Sequence, residues 1–159
     1  MLTNHTLHII AVGKYKSQPL KEINEQYSRN IEKFCSIRWH FVKEGGKALP
    51  PEKKIIEEQK NISTIINQLS SPIVISLSEE FKPITSKQLA TELQNWMTRS
   101  QKIVFVIGGA FGLSNHIKQN SYKTISLSPL TFNHLLVRVI LTEQLYRCLS
   151  IIYNTSYHH

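Results

Sequence analysis

The sequence predicts an α/β domain: a mostly parallel β-sheet flanked by helices on both faces. Three observations carry this. Short apolar runs of strand length alternate with longer segments of helical periodicity, about five of each. Most of the strand runs are almost continuously apolar, as in Leu7–Val12 (LHIIAV), Ile73–Leu77 (IVISL) and Lys102–Ile107 (KIVFVI), the mark of strands buried on both faces. Turn chemistry (Gly13, Pro50-Pro51, Ser70-Ser71-Pro72, Gly108-Gly109) separates the elements, and no repeat, linker or low-complexity tract interrupts them.

Taken in order, Leu7–Val12 is a central strand ended by Gly13, with Lys14, Tyr15 and Lys16 forming a basic loop. Pro19 opens a helix over Leu20–Phe34, whose apolar face is Ile23, Tyr27, Ile31 and Phe34. Ser36–Val42 alternates Ile37, Trp39 and Phe41 with Arg38 and His40, a strand with one wet face. Pro50-Pro51 precedes a helix over Glu52–Leu69, and Ile73–Leu77 is the next buried strand. Thr85-Ser86 caps a helix that runs through Met97. Lys102–Ile107 is followed at once by Gly108-Gly109. A short helix spans Ser114–Asn120, a strand Lys123–Ser128, and a last helix runs from about Asn133 to about Ile152.

That last helix is apolar in nearly every direction: Leu135, Leu136, Val139, Ile140, Leu141, Leu145, Leu149 and Ile151. Such a helix is buried on most sides, and in a chain this small part of its surface is expected to meet a second copy in a C2 dimer. Glu143 and Arg147 stand at i,i+4 in the favourable order for an ion pair. Arg138 has no local carboxylate, so it is expected to pair across an interface or to await an anion.

With 159 residues the chain has the size of one domain, residues 1–159. Its 19 Lys and Arg against 11 Asp and Glu leave a formal charge of +8, which favours a polyanionic partner. No apolar run is long enough for a membrane span, and the start does not read as a secretory signal. Cys35 and Cys148 lie among apolar neighbours without metal spacing, and the expectation is reduced, buried thiols in a cytoplasmic protein. No zinc cluster, Walker loop, dinucleotide fingerprint or nucleophile elbow is present, so no metal site is expected. In parallel sheets ligands bind beyond the carboxyl ends of the strands. The loops after Leu77, Ile107 and Leu127 lie there, and Gly108 and Gly109 let a planar ligand approach their backbone.

The run Ser126–His134 (SLSPLTFNH), then Leu136-Val137-Arg138 and Glu143–Arg147 (EQLYR), resembles the C-terminal signature of the RlmH family. So do Ile10–Lys14, Ile107–Leu113 (IGGAFGL) and Tyr157-His158. These are the pseudouridine N3-methyltransferases of 23S (large-subunit) ribosomal RNA, of the SPOUT class. The resemblance covers essentially the whole chain and implies a SPOUT-type fold with a deep C-terminal trefoil knot, a homodimer, S-adenosyl-L-methionine as cofactor and the assembled ribosome as partner. Carried over by residue, it places cofactor contacts at Leu77, Gly108, Leu127, Ser128, Pro129, Leu130, Thr131 and Phe132. It makes His134, Arg138, Tyr157 and His158 the catalytic candidates, with His158 as proton acceptor and Arg138 and Arg147 favouring an anionic base or a phosphate. The chain departs from the pattern at Ser78 and Phe81 in the first loop, at Asn133 and Leu135 beside His134, and at His159. A knotted RNA-binding module with weakened catalysis, and a basic nucleotide-binding domain of another kind, stay open as alternatives.

Overall fold

The computed structural model describes residues 3–158, except the side chain of His158. Five parallel strands form one sheet: β1 (Thr6–Val12), β2 (Ser36–Val42), β3 (Ile73–Leu77), β4 (Lys102–Ile107) and β5 (Lys123–Ile125), in the order β2-β1-β4-β3-β5. The helices are α1 (Gln18–Ile31), α2 (Pro51–Asn67), α3 (Ser86–Arg99), α4 (Asn115–Asn120) and α5 (His134–Ile152), followed by a 3₁₀ turn, Ser156–His158. The expected alternation and the parallel sheet are both present.

The apolar runs become the centre of the sheet. In β1 and β4 the side chains from Leu7 and Ile103 onward are almost wholly buried. Leu7, Ile9, Ala11 and Phe105 face a core with α1, α3 and α5, where Leu93, Trp96, Leu141 and Leu145 meet them. Ile10, Val12, Val104 and Val106 face a second core with Ile62 of α2 and Ile117 of α4. A strand covered on both faces has no polar positions to offer, which is why these runs are uninterrupted. The helices start where local chemistry supplies acceptors. Thr85 Oγ1 accepts the Gln88 N–H while the Gln88 side chain accepts the Thr85 N–H, and Ser114 and Asn133 cap α4 and α5.

Two expectations are corrected. β5 ends at Ile125 rather than at Ser128: Ser126 makes only a bridge to Pro83, and its hydroxyl donates to the Ser128 carbonyl at 2.8 Å, turning the chain out of the sheet. The alternation of β2 does not bury Phe41, which is 42% exposed; it stacks on Trp39 at 5.6 Å at the sheet edge.

Cys35 and Cys148 are free and buried, and burial pushes both thiols up to about 12. His8 of β1 and His40 of β2 share a 2.9 Å hydrogen bond, with the rings stacked at 5.2 Å. Burial first, then the positive charges of His40, Arg38 and Lys102, lowers His8 from 6.5 to about 4. A histidine whose folded pKa lies below its unfolded value binds fewer protons in the native state between the two. Its contribution is therefore complete above pH 6.5 and is lost as the pH falls towards 4. At 1.36 kcal/mol per unit this amounts to about 3 kcal/mol. Urea unfolding at pH 7 and pH 4.5 should show that loss in the native protein and a clearly smaller one in His8→Gln; equal losses would exclude the pair as its source.

Candidate active site

The carboxyl ends of β3, β4 and β5 surround a cavity of about 640 Å³. Its walls are Leu77–Glu80 after β3, Ile107–Leu113 after β4, the segments Ser126–Ser128 and Leu130–His134 after β5, and Val137 on the first turn of α5. This is a common volume for a small-molecule site.

Backbone rather than side chains makes one wall. After β4 the chain folds back on itself, with the Gly112 N–H donating to the Gly109 carbonyl at 3.1 Å. A Cβ on Gly108 would stand 2.6 Å from the Gly112 carbonyl carbon, so only glycine fits. Gly112 sits at φ +77°, a conformation that costs other residues energy. The other two loops are laced together: Ser78 N–H donates to the Ile125 carbonyl at 3.0 Å, and Ile84 N–H to the Ser126 carbonyl at 3.0 Å. Leu130 N–H donates to Ser128 Oγ at 3.0 Å, which bends the third loop around the mouth. Much of the wall therefore consists of fixed peptide groups with apolar side chains, Leu77, Leu127, Leu130 and Phe132, between them.

Charge is sparse. Glu79, Glu80, Lys118 and His134 stand on the walls, and Lys118 Nζ holds Glu80 Oε2 at 2.7 Å. That hydrogen bond keeps the Glu80 carboxyl below its usual range. Burial, then the nearby Arg138, lowers the pKa of His134, which favours its neutral imidazole.

Of the residues expected around a cofactor, Leu77, Gly108, Leu127, Ser128, Leu130, Thr131 and Phe132 line the cavity, and Pro129 does not. His134 lines it too. Arg138, one turn on, is fully buried and does not. Its Nη2 donates to the carbonyls of Val12 at 2.6 Å and Gly13 at 2.9 Å, and the guanidinium lies over Tyr15 at 5.0 Å and Phe41 at 5.5 Å. These partners lie within the chain, and they leave Arg138 Nε and Nη1 buried with no hydrogen-bond partner among the described residues. Tyr157 folds back onto the middle of α5: its hydroxyl is 3.2 Å from Glu143 Oε1 and 3.3 Å from the Tyr27 hydroxyl, and its ring lies 5.0 Å from the Arg147 guanidinium. Glu143 and Arg147 form the expected pair at 2.6 Å. The side chain of His158 lies outside the described residues. Glu143, where the Tyr157 hydroxyl docks, lies about 14 Å along the α5 axis from His134.

One residue escaped the sequence reading. Glu58 of α2 is 7% exposed, accepts the Gly45 N–H at 3.0 Å, and faces Gly109, where an added Cβ would meet its Oε2 at 3.0 Å. Burial raises its carboxyl. Beside Glu57 in a polar stretch it reads as an ordinary solvated position, and no local signal marks it.

Residues 6–158 match the family model described as "Predicted SPOUT methyltransferase". The chain belongs to the SPOUT methyltransferase family. Among curated SPOUT relatives, the protein of Maridesulfovibrio salexigens is 36% identical over 96% of this chain and 97% of its own length. That of Natranaerobius thermophilus is 35% identical over 95% and 98%, and that of Oleidesulfovibrio alaskensis 32% over 97% and 99%. All three bear the name ribosomal RNA large subunit methyltransferase H. The fold is similar to a probable methylase family protein from Haemophilus influenzae Rd KW20, with TM-score 0.58 and 13% identity, covering 96% of this chain and 70% of that one. It is also similar to a probable methyltransferase from Bordetella pertussis Tohama I, with TM-score 0.53 and 11% identity, covering 92% and 95%. The SPOUT fold of this chain thus extends to sequences with little identity, while the ribosomal relatives match it nearly end to end.

Proposed function

We propose that this methyltransferase uses S-adenosyl-L-methionine to methylate N3 of a pseudouridine in large-subunit ribosomal RNA. It acts on the assembled ribosome, as a cytoplasmic homodimer with the C-terminal trefoil knot of its family. The observation that carries the reading is the cavity itself, a peptide-lined site at the ends of three parallel strands in a chain whose full-length relatives are named as ribosomal RNA methyltransferases. The residues present suit this donor. The fixed amides and carbonyls of Gly108–Gly112 and of the loop after β5 can read a purine edge, Leu77, Leu127 and Leu130 can sandwich the ring, and Glu79 supplies negative charge for a cationic sulfonium or ammonium, Glu80 being paired with Lys118. When bound, the donor supplies an electrophilic methyl group.

The protein's own tasks are to hold the acceptor ring in line and to take the N3 proton. His134 suits the second task, since it stands on the cavity wall where its surroundings favour the neutral imidazole. Tyr157 is held at Glu143, about 14 Å along α5 from His134, so a site that uses the C-terminal tail together with His134 takes the tail from a second copy. Apolar residues left open on the surface, Leu136 of α5 and Ile23 of α1, each 42% exposed, support such a pairing. In this arrangement Arg138 anchors α5 to β1 and keeps His134 in place.

The donor at 100 times its Kd should stabilise the fold by about 2.7 kcal/mol, and labelled methyl should pass to pseudouridine-containing ribosomes but not to ribosomes lacking it. His158→Ala and His134→Ala should each retain the thermal shift and lose turnover. No shift and no transfer would overturn the proposal; donor binding with full turnover in a variant would remove that histidine from the chemistry. The departures at Ser78 and Phe81 favour a second reading, an RNA-binding module with weakened catalysis, which RNA binding without a donor shift would support.

A further inference from the structure

A second groove, of about 410 Å³, adjoins the cavity along the free edge of β5. Glu80 and Lys118 line both spaces. Phe81 and Tyr122 stand in the groove with 42% and 55% of their surface exposed. A ring left this open contributes little to the core. Among the described residues four phenylalanine and tyrosine rings are this exposed, and three of them, Phe81, Tyr122 and the cavity's own Phe111, surround this one region.

The remaining groove wall is polar, with Asn115, Gln119, Ser121 and Thr124, so the two rings are its apolar surfaces. Arg99 Nη1 donates to the Tyr122 hydroxyl at 3.0 Å. The groove's own cations, Lys118 and Lys123, are held by Glu80 and Glu92; outside its lining, Arg99, bonded to Tyr122, and Lys82, next to Phe81 in the chain, have no carboxylate partner among the described residues. Open rings, polar side chains and an excess of cations are the components with which proteins hold unpaired nucleotides. An aliphatic peptide would find no apolar pocket here.

We propose that this groove seats an unstacked nucleotide of the RNA beside the one whose base enters the cavity. The base stacks on Tyr122 and Phe81, and the phosphate lies near Arg99 and Lys82. The inference rests on the proposed RNA substrate, and its test separates the two. Binding of a fluorescein-labelled, uridine-rich single-stranded 12-mer RNA, and the KM for ribosomes in methyl transfer, are measured for the native protein, Tyr122→Ala, Phe81→Ala/Tyr122→Ala and Tyr122→Phe. The alanine variants should bind RNA about 5- to 100-fold more weakly and raise KM in step, with donor affinity and melting temperature unchanged in Tyr122→Ala; Tyr122→Phe, which keeps the ring, should recover most of the affinity. Native transfer with an unchanged KM in the double alanine variant overturns the groove and leaves the function standing. Ring-dependent RNA binding by a protein that transfers no methyl supports the groove and removes the function. A shift of the alanine variants from dimer to monomer overturns the proposal, since the groove would then be a subunit contact.

Discussion

Arg138→Ala is expected to lower stability by about 3–5 kcal/mol, more than any other substitution of a polar residue in the chain. The guanidinium is fully buried, and it is the hydrogen-bond donor to the carbonyls of Val12 and Gly13, where β1 leaves the sheet. Alanine leaves those carbonyls without that donor at about 1–3 kcal/mol each, opens a void, and removes the contacts with Tyr15 and Phe41. Burial lowers the arginine's pKa, but an arginine in a protein remains protonated; its charge is met in part by carbonyl dipoles and ring faces, while Nε and Nη1 are buried with no hydrogen-bond partner among the described residues. Arg138→Met refills the volume without restoring the bonds and should recover part of the loss. Arg138→Lys restores a donor without the planar fork and should recover more. Urea unfolding measures all three. A loss below about 1 kcal/mol for Arg138→Ala would show that the carbonyls find water or another donor, and that Arg138 is free to serve an anion instead.

Gly108→Ala is expected to abolish donor binding, with a loss of about 100-fold or more in affinity. The added methyl would lie 2.6–2.9 Å from the backbone of Gly112 and Leu113, which no rotamer change relieves. The turn itself must move, and with it the peptide groups that line the cavity. Overpacking costs about 1–3 kcal/mol where side chains can yield, and 2.8 kcal/mol corresponds to about 100-fold in binding; a backbone clash stands at or above the upper end. Gly112→Ala is the control. Nothing lies within 4 Å of its added Cβ, but its φ of +77° is strained for alanine. It should cost about 1–2 kcal/mol of stability and leave donor affinity much closer to native. Calorimetric titration of the donor into both variants checks the contrast. Equal donor affinities would mean that the Gly108–Gly112 turn does not shape the site.

The order and type of the elements were legible because their signals are local. Apolar runs bounded by turns become buried strands, and Thr85, Ser114 and Asn133 cap the helices they precede. The loops after Leu77, Ile107 and Leu127 could be placed at one end of the sheet because parallel strands share a direction. The early end of β5 was not legible, since the Ser126 hydroxyl reaches a carbonyl two residues on only once Pro83 and Ile84 are laced beside it.

By itself, then, the sequence determined a parallel α/β domain, a glycine turn after β4, a C-terminal helix apolar in nearly every direction, and a basic charge balance. Tertiary structure decided that Arg138 serves carbonyls more than a hundred residues away, that Glu58 faces Gly109, that His8 meets His40, and that Phe81 and Tyr122 share a groove. Propensity, periodicity and capping act over a few residues and leave a mark in the letters. The partner of a buried polar group is chosen by strand order and register, which exist only when distant segments have come together.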